Sequence, residues 1–316
     1  MRVVPDLPEY FDEPFSDSSQ IPTHLVSRMA RDHVTVALSG DGGDELFCGY
    51  TRYNLGYNVW RKSLMFPCWA RTLARKGIRA VRPDRWDQVA ARVQRVVGGE
   101  RRLANPGYKL QKLAELLEKE SFADFYRGLV SHWPEPEKIV VGATERFRTI
   151  ADPLGEGGDL SPQERMMFLD LLTYLPDDIL TKVDRASMAV SLEARVPILD
   201  HRVVEFAWSL PHEYHVRDGN MKWVLRKALG RHVPAKMFER PKMGFSVPLS
   251  DWLRGDLRDW GEELLSESRL KREGIFEWKP IREKWEAHVE GRANWQYWLW
   301  DILMFQSWHE KWKPGK

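Results

Sequence analysis

The stretch Val34-Thr35-Val36-Ala37-Leu38-Ser39-Gly40-Asp41-Gly42-Gly43-Asp44-Glu45-Leu46-Phe47 decides how this chain is read. Its first five residues are β-branched or apolar and predict one buried strand over 35–38. The next seven hold three glycines, three acids and a serine. Apolar sequence then resumes and predicts the start of a helix. A strand, a Gly-rich turn and a helix N-terminus leave backbone N–H groups free to meet phosphate or ribose. Glycine lets backbone approach a ligand with no Cβ in the way. Asp41 and Asp44 add negative charge, which beside a phosphate calls for Mg²⁺ or a substrate amine. The plainer alternative is a Gly/Asp surface turn after a strand, and the stretch by itself leaves both open.

The remainder of the chain narrows the choice. At 316 residues it is long enough for about two domains. Hydrophobic residues make up 43% and the net charge is only +2, so a folded core is expected and no basic field announces nucleic acid. Cys48 and Cys68 form neither a disulfide framework nor a metal spacing, which points to a reducing cytoplasm. No charged-then-apolar leader opens the chain, and no run reaches the ~18 apolar residues of a membrane span. Neither a nucleic-acid nor a membrane partner is expected. The 35–38 strand has no evident strand partner before it, so partners must come from less obvious segments or from more chain than is present.

Along the chain, Ile21, Leu25, Val26 and Met29 recur at helical spacing and predict a helix over 19–32. A basic region follows Tyr50 and runs to about Arg102; it reads as a helical insertion with snorkelling cations rather than an RNA-binding face. Residues 103–148 read as helices broken at Pro106, Pro134 and Pro136, and 151–160 as a surface loop. Ser161-Pro162-Gln163-Glu164 is a capping box with proline at the first helical position. The block 177–189 has helical spacing, with Asp178 and Lys182 four apart on one face. Glu193 to Pro197 reads as a helix end, since the residue before proline is pushed to extended geometry. Asp200 is an N-cap for 201–210, and Gly230 closes a helix over 222–229. Nine of the fifteen tryptophans lie from Trp252 onward, in helices; Trp295, Trp298, Trp300, Trp308 and Trp312 read as packing residues.

Three separated blocks then agree: Ala37 to Tyr50, residues 175–200, and Arg240-Pro241-Lys242-Met243-Gly244-Phe245. Their order and intervals resemble the synthetase domain of glutamine-hydrolysing asparagine synthetases, within the ATP-pyrophosphatase family. Asp12-Glu13-Pro14 with Asp17 and Ser19-Gln20-Ile21-Pro22-Thr23, and His288 with Gly291 and Trp300, resemble flanking segments of it. The resemblance implies a mainly α chain with a partial α/β part, a remnant of an ATP-pyrophosphatase-type parallel sheet beside a large helical region. The implied division is 1–54 partial nucleotide-binding core, 55–160 helical insertion and 161–316 helical part of the synthetase domain. The implied chemistry uses ATP and Mg²⁺ to adenylate aspartate, releasing pyrophosphate, after which ammonia attacks the acyl-adenylate. Ser39 and Gly40 would contact the AMP moiety. Asp41 would orient or deprotonate ammonia, and Asp44 would lie beside it. Lys242 would stabilise phosphoryl charge, and Asp178 and Lys182 would line the pocket as an acid and a base. No residue is implied as a metal ligand. Arg185, Glu193 and Arg195 read as structural ion pairs.

The departures from the family pattern are large. The Ser-Gly-Gly-x-Asp-Ser loop that grips pyrophosphate is absent from these 316 residues, and Gly157-Gly158-Asp159 follows no strand. Residue 2 is arginine where the family's glutaminase domain carries a nucleophilic cysteine. A family glycine is Cys48 here, which requires a negative φ at that position. The expectation is therefore an N-terminally incomplete, asparagine synthetase-like ligase, inactive by itself. An upstream chain would supply the glutaminase domain and the pyrophosphate loop. The competing readings are a related adenylating amidotransferase or cyclase acting on another carboxylate, and a non-catalytic helical interaction module.

Overall fold

The computed structural model describes residues 2–81, 83–97, 106–133, 135–144, 160–238, 245 and 247–312. They are mostly helical, with two small two-stranded sheets. The 155–159 loop and Lys242 lie outside the described residues. Two compact units form. One comprises Met1–Asp12, Asp17–Tyr57 and Phe147–Val247; the other comprises Glu13–Ser16, Asn58–Arg146 and Pro248–Lys316.

In the first unit the 34–47 stretch forms strand, turn and helix in the expected order. Strand β1, Val36–Leu38, pairs in parallel with β2, Glu193–Arg195, Val36 opposite Glu193 and Leu38 opposite Arg195. The partner thus comes from later sequence, out of residues that read as a helix end. Val196 is non-helical (φ −119°, ψ 79°), as the residue before Pro197 is expected to be. The burial expected of β1 is corrected: Leu38 is 74% exposed and Val36 is at the surface too. Among the described residues the sheet has only these two strands, so little packs over it.

The turn after β1 passes through Gly42 at φ +82°, where a Cβ would run into Leu199. A one-turn helix, Gly43–Leu46, then buries Leu46 and Phe47 against Ala207, with Ile198, Leu199 and Val203 around them. The Gly49 N–H donates to the Asp44 carbonyl at 2.8 Å, closing the helix as a Schellman motif. That closure needs a left-handed residue at Cys48, whose φ is +54° rather than negative as expected. Complete burial of the side chain offsets a conformational cost of roughly 1–2 kcal/mol. The same burial pushes the thiol up to about 12, so it is a packing residue.

The helix expected over 19–32 is present as Gln20–Arg31, but its buried face is mostly polar. Ile21 is buried along with Gln20, Thr23, His24 and Ser27, whereas Leu25, Val26 and Met29 are exposed. The buried side packs on the helix Thr181–Met188, where Ala186 and Ser187 are small enough for close approach. The block 177–189 is not one regular helix. Leu175–Leu180 is a π-helical turn, and the α-helix begins at Thr181. Pro176 explains the change: it lacks an N–H to donate, and its ring would clash with the carbonyl four residues back in an α-helix. The helix Pro162–Leu172 starts at the predicted capping box, with Ser161 Oγ accepting the Glu164 N–H and the Glu164 carboxylate accepting the Ser161 N–H. Asp200 caps His201–Ser209 by accepting the Arg202 N–H at 3.0 Å. Gly230 ends Trp223–Leu229 in a right-handed conformation (φ −63°), not the left-handed one that glycine caps usually adopt.

In the second unit the basic stretch is helical, as Cys68–Ala80 and Pro83–Val97 after the end of Thr51–Leu64. Pro106 and Pro136 open helices rather than break them, because a missing N–H costs nothing in a first turn. The C-terminal helices include Trp278–Val289 and Gln296–Trp312. Trp285, Trp298 and Trp300 are buried there, whereas Trp312 is exposed.

Candidate active site

The candidate residues of the first unit fall into two groups. The first is the loop after β1. The Ser39 hydroxyl donates to the Asp41 carboxylate, and the Ser39 N–H donates to the Arg195 carbonyl at 2.8 Å, so β2 fixes the start of the loop. Gly40 is exposed, and a Cβ there would meet nothing within 4 Å. Gly42 and Gly49, by contrast, have no room for a Cβ because of Leu199, Asp44 and Lys222. Gly40 therefore leaves open backbone of the kind a nucleotide can approach. Asp44 faces inward on the fold's own terms, paired with Lys222 Nζ at 3.1 Å. Lys222 is held in a left-handed conformation (φ +55°), and its N–H donates to the Phe47 carbonyl.

The second group is built on the π-helical turn. Lys182 Nζ lies 2.7 Å from Asp17 Oδ2, and the Asp17 carboxylate hydrogen-bonds the Asp178 carboxyl. Asp178 and Lys182 therefore share a neighbourhood as the spacing implied, but Asp17 stands between them. Burial, followed by the Asp17 charge, pushes the Asp178 carboxyl up to about 7. Burial alone would also raise Asp17, but the Lys182 ammonium and hydrogen bonds from Lys182 and Ser19 outweigh it and hold Asp17 below the usual carboxylate range. Two neighbouring carboxyls with separated affinities for a proton form an arrangement suited to proton transfer near neutral pH. Among the described residues, Asp178 Oδ1 is buried with no hydrogen-bond partner.

Between the two groups lies a charged and aromatic network that sequence reasoning missed. Arg52 donates through Nε and Nη2 to Asp170 at 3.1 and 2.6 Å. Its guanidinium lies 4.1 Å from the Tyr50 ring centre and 4.5 Å from that of Tyr174. Tyr53 donates to Asp170 at 2.5 Å, and Tyr50 donates to Glu45 at 2.8 Å. Glu45, beside Asp44, is raised by burial. Asp17 stood out in the sequence only within a flanking segment that resembles the family, and nothing local marked it as the partner of Lys182, 165 residues away. Arg185 pairs with Asp12 at 2.7 Å and Arg195 with Glu193 at 2.7 Å, the structural pairs expected.

The family model described as asparagine synthase matches residues 1–310. The chain belongs to the asparagine synthase family. It is 30% identical over 313 residues to asparagine synthetase [glutamine-hydrolyzing] 1 of Bacillus subtilis, a match covering 98% of this chain and 45% of that protein. It is 31% identical over 317 residues to a putative asparagine synthetase [glutamine-hydrolyzing] of Mycobacterium tuberculosis, covering 98% and 44%. A shorter match, 59% identical over 49 residues, is to putative asparagine synthetase [glutamine-hydrolyzing] 2 of Methanocaldococcus jannaschii. The chain thus spans less than half the length of the first two asparagine synthase relatives. Among the described residues no helix is long and apolar enough to cross a membrane. No group of three or more His, Cys, Asp or Glu side chains there could hold a metal ion.

Proposed function

We propose that this chain carries the nucleoside and acyl side of an asparagine synthetase-type ligase, in which ATP adenylates aspartate and ammonia displaces AMP. The observation that carries this reading is the pairing of an open Gly40 backbone with the Asp17–Asp178–Lys182 charge cluster in one unit of an asparagine synthase-family chain. In this reading Ser39 and Gly40 meet the AMP moiety and Asp41 orients the attacking ammonia. Lys182 fixes Asp17 as a carboxylate. Asp178 holds or releases a proton at its buried carboxyl, and its orphaned oxygen receives a donor from the substrate. Lys242 stabilises charge on the phosphoryl group as the bond to pyrophosphate breaks. Asp44 contributes by holding Lys222 and the turn rather than by direct contact. Mg²⁺ would arrive on the nucleotide, where one or two carboxylates plus phosphate oxygens suffice to hold it, and would neutralise phosphate charge.

The two-stranded parallel pair is, in the same reading, part of an ATP-pyrophosphatase-type sheet. Turnover then requires a segment bearing a Ser-Gly-Gly-x-Asp-Ser loop, on the same polypeptide or another. The test is pyrophosphate release with ATP, Mg²⁺, aspartate and ammonia. The 316 residues alone are expected to be inactive, and mixing with such a segment is expected to restore turnover. Lys242→Ala is expected to abolish that turnover without preventing assembly. Robust turnover by these residues alone would overturn the need for the segment, and normal turnover in Lys242→Ala would remove Lys242 from the site.

A further inference from the structure

The adenylation chemistry proposed above assigns no role to the basic stretch of the second unit, whose structure has a distinct character. From residue 61 to residue 79 there are six basic residues and no acidic one, in a chain whose net charge is only +2. The end of Thr51–Leu64 and the start of Cys68–Ala80 meet in a tight turn, and every residue from Leu64 to Trp69 is exposed. Leu64, Met65, Phe66, Trp69 and Leu73, five large apolar side chains within ten residues of sequence, are each between 53% and 77% exposed.

The tip is held from behind. Buried Ser63 donates to the Trp60 carbonyl at 2.8 Å, and the Trp60 ring packs 5.1 Å from Phe125. On Cys68–Ala80 one stripe of cations is spent on the fold: Arg71 donates to the Leu117 and Lys119 carbonyls, Arg75 pairs with Glu118, and Arg79 lies 3.8 Å from Glu115. The opposite stripe, Trp69, Leu73 and Lys76, projects outward, and exposed Lys62 flanks the tip from the other helix. A rigidly backed helix therefore presents aromatic and aliphatic side chains rimmed by cations.

We propose that this tip docks on the surface of an anionic lipid bilayer. Apolar side chains that enter the headgroup region, with cations beside them at headgroup level, are the two components of interfacial binding. Trp69 and Phe66 suit the interface, where aromatic rings concentrate. The exposed Lys62 and Lys76, which the fold does not spend on the Glu115 and Glu118 pairs, match a negative surface, to which each lysine adds attraction. A second copy of the chain fits poorly, since two such faces would bring like cations together. Nucleic acid fits poorly as well, because the centre of the tip is aliphatic and aromatic with the cations at its rim. The absence of a spanning helix among the described residues is consistent with a chain that lies on a membrane rather than crossing it.

The test is sedimentation of the whole chain with extruded vesicles of phosphatidylcholine alone and of phosphatidylcholine mixed with phosphatidylserine. A polarity-sensitive dye on Cys68, which is exposed while Cys48 is buried, reports on the tip directly. Expected are binding to the phosphatidylserine vesicles only, weakening with added salt, and a blue shift of the dye. Phe66→Ser/Trp69→Ser and Lys62→Glu/Lys76→Glu are each expected to weaken binding about tenfold or more, with circular dichroism and Tm unchanged. No binding to anionic vesicles, or equal binding by both double variants, would overturn the proposal. So would a concentration-dependent dimer that Phe66→Ser/Trp69→Ser abolishes while vesicles have no effect.

Discussion

Asp178 shows how much a single position can depend on its surroundings. In sequence it is one of two adjacent aspartates after a proline, four residues before a lysine. In the structure that lysine is engaged by Asp17, so Asp178 carries the cost of burial beside a carboxylate and its carboxyl rises to about 7. A carboxyl raised on folding makes the native state bind more protons than the unfolded chain. Its contribution is fully favourable below the unfolded value near 4 and is lost as pH rises through 7. Asp178→Asn removes this dependence. Thermal unfolding from pH 4 to pH 8 is expected to show similar stability at pH 4 and a variant more stable than the parent at pH 8 by several kcal/mol, at roughly 1.4 kcal/mol per pKa unit. Parallel pH profiles would contradict the assignment. Asp17 acts in the opposite sense: its lowered carboxyl contributes stability above the unfolded value and loses it as pH falls through the folded value.

At the scale of elements, the ion pair of Arg52 with Asp170 ties the first half of Thr51–Leu64 to Pro162–Leu172. Asp170 is fully buried and also accepts from Tyr53, so it is the shared acceptor of both donors. Asp170→Ala leaves a guanidinium and a buried phenol without their acceptor. The expected loss is about 3–5 kcal/mol in urea unfolding, the usual cost of breaking a buried pair from one side. A loss under about 1 kcal/mol would show that water or the Tyr50 and Tyr174 rings take over the charge. The helix starts at Ser161 and Asp200 were legible because a cap is a local bond between residues two or three apart. The inward face of Gln20–Arg31 was not. Of the four apolar residues that predict its inner side, Ile21 alone is buried, together with polar Gln20, Thr23, His24 and Ser27, against Thr181–Met188, where small side chains permit close approach.

For the molecule as a whole, the feature that asks for a partner is β1. Parallel strands are ordinarily covered on both faces, yet Leu38 is 74% exposed and Val36, Leu25, Val26 and Met29 are exposed with it. On the proposed reading this apolar surface is covered when the segment bearing the pyrophosphate loop joins. Leu38→Lys is therefore expected to change the stability of the 316 residues by no more than about 0.5 kcal/mol, as for other exposed positions. It is also expected to block restoration of pyrophosphate release. Restoration equal to that of the parent chain would show that Leu38 is not covered in the active assembly.

Family membership, the mainly helical character, the strand–turn–helix at 34–47 and the capped helix starts were determined by the sequence alone, because each rests on neighbours a few residues apart or on long ordered motifs. Tertiary structure decided the rest. It brought β2 beside β1, placed Asp17 between Lys182 and Asp178, closed the Arg52–Asp170–Tyr53 network and turned Cys48 left-handed under a Schellman bond. Most of these join residues more than a hundred positions apart, where burial and through-space charge select the partner. The left-handed Cys48, though held by a short-range bond, is accommodated because the packing around it outweighs the local preference of its own backbone.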